Sequence, residues 1–327
     1  MKDPHGEWEA FEDYVLDFAI ETLKRGEKPA LVTLVKIEGS SPRFPGAQMA
    51  ISETGNWVGY LSGGCIERAV VAEALEAIAA GESRMVRYGR GSKYFDIQLP
   101  CGSAIELFFD VNADLNTLDE IDQRLKHRQV AELVIDEGNC FGAHMLRVYR
   151  PRKRLVIAGV GPATVQLARM AQIAGFEVLA WSYDEPTLQR LSSFNVATTH
   201  LTSPNRTPPF EADARTAIVF MFHDHDWDLA LLPSALATDA FYIGAMGSRP
   251  THRLRLQRLE EQGFDRTSLN RINGPAGLFA GSKSAGDIAL SILAELVHVD
   301  QTRVKTRIAE NDGEPSQTSL AHVFGSA

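Results

Sequence analysis

Cysteine is scarce: three residues in a chain of 327, and no two of them form a CxxC pair. That excludes a disulfide framework and makes a structural zinc site a poor reading. The opening residues lack a secretory pattern, and no apolar run approaches the ~20 residues that a membrane span needs. A reducing, cytoplasmic setting is therefore expected. Positive charge is also short, with 33 Lys and Arg against 42 Asp and Glu, for a net charge of −9. Nothing supplies the basic face that a nucleic-acid backbone requires. What remains is ordinary: 44% apolar and 23% charged residues, at a length that suits two domains.

The most informative stretch runs from Trp57 to Glu67. An apolar run leads into Ser62-Gly63-Gly64-Cys65, and then Ile66, Val70, Ala74 and Ile78 recur at helical spacing as far as a stop at Gly81. Paired glycines let a backbone approach a ligand closely, and the helix start behind them favours an anion. Cys65 at that start has the setting of a stabilised thiolate. The competing reading is a packed glycine turn with an inert, buried thiol.

Around this stretch the first half alternates helices and strands. A helix is expected from about Glu7 to Arg25, a buried strand over Ala30 to Ile37, and a hairpin over Gln48 to Leu61. Between strand and hairpin lies Gly39-Ser40-Ser41-Pro42-Arg43-Phe44-Pro45-Gly46. Its hydroxyls and its guanidinium fork suit an oxyanion, although the same residues also make ordinary turns. Strands are expected at Arg84 to Tyr88 and Ala104 to Asp110, the second preceded by Pro100-Cys101-Gly102-Ser103. Cys101 repeats the chemistry of Cys65, and two such thiols would suit one soft ligand. A polar helix from Leu115 and two further strands complete this half, and Cys140 is assigned no role.

Taken together, Gly39-Ser40-Ser41-Pro42-Arg43, Leu61-Ser62-Gly63-Gly64-Cys65-Ile66-Glu67 and Cys101-Gly102 resemble, in order and spacing, the N-terminal domain of the XdhC/CoxI family of maturation factors for molybdenum hydroxylases. Ser103 stands where that family usually has a second glycine.

Pro151 to Arg154 reads as a linker. A βαβ unit follows: a strand over Leu155 to Ala158, a turn Gly159-Val160-Gly161-Pro162-Ala163-Thr164, a helix to Gly175 and a strand over Glu177 to Trp181. This is the context in which a glycine fingerprint marks a dinucleotide-binding fold. Thr164 replaces the third glycine. Ser182 and Asp184 compete for the position of the ribose-binding acid, with Asp184 nearer the usual offset. A Rossmann-like fold that has lost its nucleotide is the competing reading. Further on, a strand from Thr216 to Phe222 ends in His223-Asp224-His225-Asp226. On a strand, His223 and His225 would face opposite ways, which favours a substrate-facing or turn role over a metal site. After another strand, Gly244-Ala245-Met246-Gly247-Ser248-Arg249 makes a second candidate anion corner. A last helix is expected from Ser284, capped through Asp287, with a polar, unpatterned tail from residue 301.

These segments extend the resemblance along the whole chain, with departures at Pro162, Ser182, Asn273 and Ser284-Ala285-Gly286. The expected architecture is α/β: residues 1–150 an XdhC/CoxI-type domain, 151–300 a Rossmann-like doubly wound domain, and 301–327 a tail. The resemblance implies a cytoplasmic factor that binds molybdenum cofactor, as molybdopterin or its dinucleotide form, and delivers it to an apoenzyme of the xanthine dehydrogenase or aldehyde oxidase type. It admits a nucleotide in the Rossmann-like domain, cofactor-synthesis or sulfuration enzymes as further partners, and a homodimer. Its cofactor-binding residues map onto Ser40, Ser41, Arg43, Ser62, Gly63, Gly64, Cys65, Glu67, Cys101 and Gly102. In the second half they map onto Gly159, Gly161, Pro162, Ala163, Asp184, His223, Gly244, Gly247, Ser248 and Arg249. No catalytic residue or metal ligand is assigned. The alternatives are an NAD(P)-dependent oxidoreductase, which leaves the serine loop and the cysteines without a task, and a structural partner with both pockets empty.

Overall fold

Alternation along one strand builds the first sheet. In β1 (Pro29–Glu38), Ala30, Val32 and Leu34 pack on one face and Leu31 on the other. The computed structural model that shows this describes residues 15–64, 66–92, 103–136, 144–279, 281 and 283–311. These divide into two compact units at the Pro151–Arg152 boundary.

In the first unit, α1 (Leu16–Lys24) precedes β1, and β2 (Gln48–Ser52) and β3 (Trp57–Gly59) form a hairpin. Then come α2 (Glu67–Ala80), β4 (Arg84–Gly89), β5 (Ala104–Asp110), α3 (Leu115–Lys126) and an outlying hairpin of β6 (Ala131–Asp136) and β7 (His144–Tyr149). The main sheet has the order β3-β2-β1-β5-β4 and is antiparallel at every pairing. Helix α2 covers the Val32 face, while α1 and α3 cover the Leu31 face. Buried polar groups tie the outlying hairpin to this sheet: Tyr149 Oη donates to Gln48 Oε1, and Gln48 Nε2 donates to Thr33 Oγ1. The portion of the first helix expected before residue 15 lies outside the described residues.

The second unit is built on parallel pairing. Its elements are β8 (Arg154–Gly159), α4 (Gly161–Ile173), β9 (Glu177–Ser182), α5 (Glu185–Ser192), β10 (Ala197–His200), β11 (Thr216–Met221) and α6 (His225–Leu236). They continue with β12 (Tyr242–Ala245), α7 (Arg249–Glu261), α8 (Arg266–Leu269), β13 (Ile272–Asn273) and α9 (Ala285–Asn311). The strand order is β10-β9-β8-β11-β12-β13, the arrangement of a doubly wound nucleotide-binding fold. Alternate residues of β8 face the two layers: Leu155 and Ile157 pack with α4 and α9, Val156 and Ala158 with α6 and α7. With both faces covered, β11 is buried throughout. The polar tail expected from residue 301 is corrected here, because α9 continues to Asn311. Extending a helix that is already formed costs far less than starting one.

Candidate functional site

The antiparallel pairing of the first unit gathers its motifs at one end of the sheet. There Glu38 pairs with Ala104, Ala104 with Gly89, and Met49 with Gly59. The serine loop leaves β1 at this end, and Ser103 enters β5 there. A Cβ added at Gly39 would stand 3.2 Å from Ser103 Cβ, so the loop abuts the strand that follows Cys101 and Gly102. Cys65, Cys101 and Gly102 themselves lie outside the described residues.

Within the loop, Ser40 is exposed, and Ser41 Oγ accepts the backbone N–H of Arg43. The Arg43 guanidinium lies over the Tyr60 ring, 4.1 Å from its centroid, and donates to Tyr60 Oη at 2.8 Å. Tyr60 directly follows β3 and leads into the glycine turn, so Arg43 joins the two motifs. Cation and ring together hold a planar fork in place. Next to Arg43, Phe44 is 61% exposed. In the turn, Gly63 and Gly64 have φ of 84° and 111°, and among the described residues nothing lies within 4 Å of a Cβ built on either. Glycine is needed there for conformation.

Glu67 behaves differently. The resemblance maps it as a cofactor-binding residue; its side chain is turned inward and Glu67 is only 3% exposed. Its Oε1 accepts the N–H groups of Leu61 and Ser62, its Oε2 the N–H of Ile66, and both oxygens the Ser62 hydroxyl. Burial pushes its pKa up, but the N–H bonds from Ser62 and Leu61, with the Ser62 hydroxyl, outweigh burial and hold the carboxyl below its usual range. The turn thus contains its own anion, and Gly63 and Gly64 are its exposed backbone. A surface network flanks this end of the sheet, where Arg87 bridges Glu38 and Glu106.

In the second unit the parallel sheet brings the expected residues to its C-terminal edge. Gly159 closes β8 in tight packing, since an added Cβ would meet Met221 Cβ at 2.6 Å and Thr164 Oγ1 at 2.9 Å. Gly161 has φ 80° with open space above it. Its N–H donates to Thr187 Oγ1 at 2.9 Å, and Pro162 has no N–H to offer. Asp184 caps α5, accepting both the N–H and the hydroxyl of Thr187 through Oδ2. Ser182 is buried and accepts the Asp184 N–H. Ala163 is half-buried in the first turn of α4.

His223 is exposed beyond the end of β11, Asp224 caps α6, and His225 is that helix's first residue. The expectation that both histidines sit on the strand is therefore corrected, because the Asp224 cap starts a helix between them. Among the described residues no group of His, Cys, Asp and Glu is arranged to hold a metal ion. Gly244 lies inside β12, where an added Cβ would meet the Tyr242 ring at 2.5 Å. That is a packing position within the strand. Gly247 has φ 145°, Ser248 caps α7 by accepting from Thr251 N–H, and Arg249 is exposed.

Several groups at this edge were not anticipated from sequence. The buried Arg255 donates through Nη2 to Asp228 at 2.7 Å and to Met246 O at 2.8 Å, pinning the loop after β12. Its Nη1 lies 3.5 Å from His252 Nδ1. A guanidinium only donates, so Nδ1 accepts and the ring proton resides on Nε2. Burial lowers the His252 pKa, and the charge of Arg255 lowers it further. The Asp184-x-x-Thr187 spacing was a legible cap; the Asp228–Arg255 pairing across 27 positions had no local signal.

An antiparallel sheet unit carrying a serine loop and a glycine turn, followed by a doubly wound unit, defines a two-unit α/β protein. The comparisons with known proteins make the class specific. Residues 155–296 match the XdhC Rossmann domain, and residues 22–89 match the XdhC and CoxI family. The molybdenum cofactor insertion chaperone PaoD of Escherichia coli (strain K12) is 34% identical over 300 residues, 87% of each chain. The chain belongs to the XdhC/CoxI family. A probable xanthine dehydrogenase subunit of Bacillus subtilis (strain 168) is 24% identical over 88% of this chain and 96% of its own. A crystal structure described as a xanthine dehydrogenase from Bacillus halodurans shares the fold, with a TM-score of 0.72 over 95% of this chain and 99% of that one, at 22% identity. No helix among the described residues is long and apolar enough to cross a membrane.

Proposed function

We propose that this protein is a molybdenum cofactor insertion chaperone. It binds molybdenum cofactor, as molybdopterin or its dinucleotide form, and delivers it to a molybdenum hydroxylase apoenzyme of the xanthine dehydrogenase or aldehyde oxidase type in the cytoplasm. The observation that carries this reading is the likeness to a molybdenum cofactor insertion chaperone at 34% identity along 87% of both chains. The donors at the end of the first sheet fit such a group. Ser40, Ser41, the held Arg43 fork and the exposed backbone of Gly63 and Gly64 suit a phosphate. Cys65 and Cys101 are the soft donors for the sulfur-ligated metal end, which the bound cofactor itself supplies. A nucleotide is the ligand this reading gives to the Rossmann-like unit. Cofactor-synthesis or sulfuration enzymes as further partners, and a homodimer, form part of the same proposal.

Arg43→Ala tests the phosphate end. Removing one charge-assisted donor is expected to weaken cofactor binding by roughly 1.5–3 kcal/mol, read by titration of the purified chain. Unchanged affinity would remove the serine loop from the site.

A further inference from the structure

Three rings meet over the end of β8. Tyr183 follows the last residue of β9 and Phe222 the last of β11, and these two strands flank β8 in the sheet. Their ring centroids lie 5.8 Å apart at an interplanar angle of 11°. Trp227 of α6 completes the group, 5.3 Å from Tyr183 and 5.9 Å from Phe222, again nearly parallel. Phe222 is 1% exposed and Trp227 6%, while Tyr183 is 37% exposed. Only Tyr183 is accessible, and two buried rings back it rigidly. The position is the topological switch point between β8 and β11, where doubly wound folds take their ligands.

Two groups that such a crevice ordinarily offers a dinucleotide are already engaged. A dinucleotide ordinarily places its pyrophosphate on the glycine turn and its ribose on the acid after the second strand. Here the Gly161 N–H is taken by Thr187, Pro162 lacks one, and Asp184 Oδ2 holds the Thr187 N–H and hydroxyl. The Thr187 hydroxyl stands where a phosphate oxygen would accept. Grip on a ligand must therefore come from somewhere other than the turn.

We propose that the Tyr183 ring is the surface on which the Rossmann-like unit stacks a flat heteroaromatic ring, a nucleobase or a pterin, and that the glycine turn after β8 carries no pyrophosphate. Aromatic stacking of this kind tolerates different bases because each presents a π-face. The inference deepens the nucleotide assignment above and rests on it for the identity of the ligand.

The test is calorimetric titration of the full chain with CMP, GMP, AMP, 6-hydroxymethylpterin and NAD. At least one ring probe is expected to bind, and which one binds separates a base from a pterin. Tyr183→Ala should weaken that probe by about tenfold or more, whereas Tyr183→Phe, which keeps the stacking face, should stay within about twofold of wild type. NAD should bind no more tightly than AMP, its adenine-bearing half. Failure of every ring probe to bind, equal binding by Tyr183→Ala, or NAD binding far tighter than AMP would overturn the inference. Circular dichroism of both variants checks folding, and Tyr183→Leu replaces Tyr183→Ala should that variant unfold. Mass spectrometry of the cofactor retained by Tyr183→Ala is scored separately. A chain that retains cofactor but shows no Tyr183-dependent ring binding keeps the carrier function and loses this site.

Discussion

Glu67 shows how one buried side chain sets the shape of a turn. Its carboxylate gathers the N–H groups of Leu61, Ser62 and Ile66, which fixes both ends of the turn that exposes Gly63 and Gly64. Glu67→Gln would set an amide against these donors, and a loss of roughly 1–3 kcal/mol at neutral pH is expected. The folded carboxyl titrates below its ordinary range, so its stabilisation is fully present above the unfolded pKa of about 4.3. It fades as pH falls through the lower folded value. Urea unfolding at pH 7 and at acid pH should therefore show the variant and the wild type converging, and a gap independent of pH would contradict this role. Glu38 gives a second reading at this scale. The Arg87 hydrogen bond and charge hold its carboxyl down to about 2, with help from Lys36. Arg87→Ala should return it towards about 4.3, visible as a moved carboxyl resonance in an NMR pH titration. A Glu38 midpoint unmoved by the substitution would show that the ion pair is not formed in solution.

At the scale of elements, two glycines with similar backbone angles should respond differently to alanine. Gly59 has φ 97°, and an added Cβ would fall 2.4 Å from Gln48 O and 2.7 Å from Val15 Cγ1. Gly161 has φ 80° and nothing within 4 Å. Gly161→Ala should cost about 1–2 kcal/mol of backbone strain. Gly59→Ala adds overpacking of roughly 1–3 kcal/mol to a similar strain, so its thermal midpoint should be clearly the lower. Equal midpoints would mean that β2 and β3 shift freely, against the pairing described. Elements also show what a sequence reveals. β8 and β11 are continuous apolar runs between turn residues and were legible, as was α2 from its stripe and the Gly81 stop. The start of α6 was not, because His223 to Asp226 reads as a strand end until the Asp224 cap is seen. The extent of α9 past residue 301 was hidden for a different reason: its polar residues carry no stripe, and the helix is propagated from the Ser284 end. The serine loop, the glycine turn and the approach to Cys101 were separate weak motifs. Only antiparallel pairing, which no local pattern encodes, places them at one sheet end. Inward-facing Glu67 and the Thr187 closure of Gly161 depend on side-chain direction, which spacing does not give.

At the scale of the whole molecule, the proposed function assigns each unit a different kind of grip. The first offers hydroxyls, a guanidinium and exposed glycine backbone, suited to phosphate. The second offers a backed aromatic ring at the edge of a parallel sheet. Such a division suits a carrier, which needs contacts spread thinly enough to release its load, better than a dehydrogenase, whose cofactor is gripped at the glycine turn. The measurement that bears on this most directly is native mass spectrometry of the full chain purified from cells that make molybdenum cofactor, followed by identification of the released small molecule. A molybdopterin species, with or without its nucleotide, is the predicted result. A nicotinamide dinucleotide in its place would contradict the account.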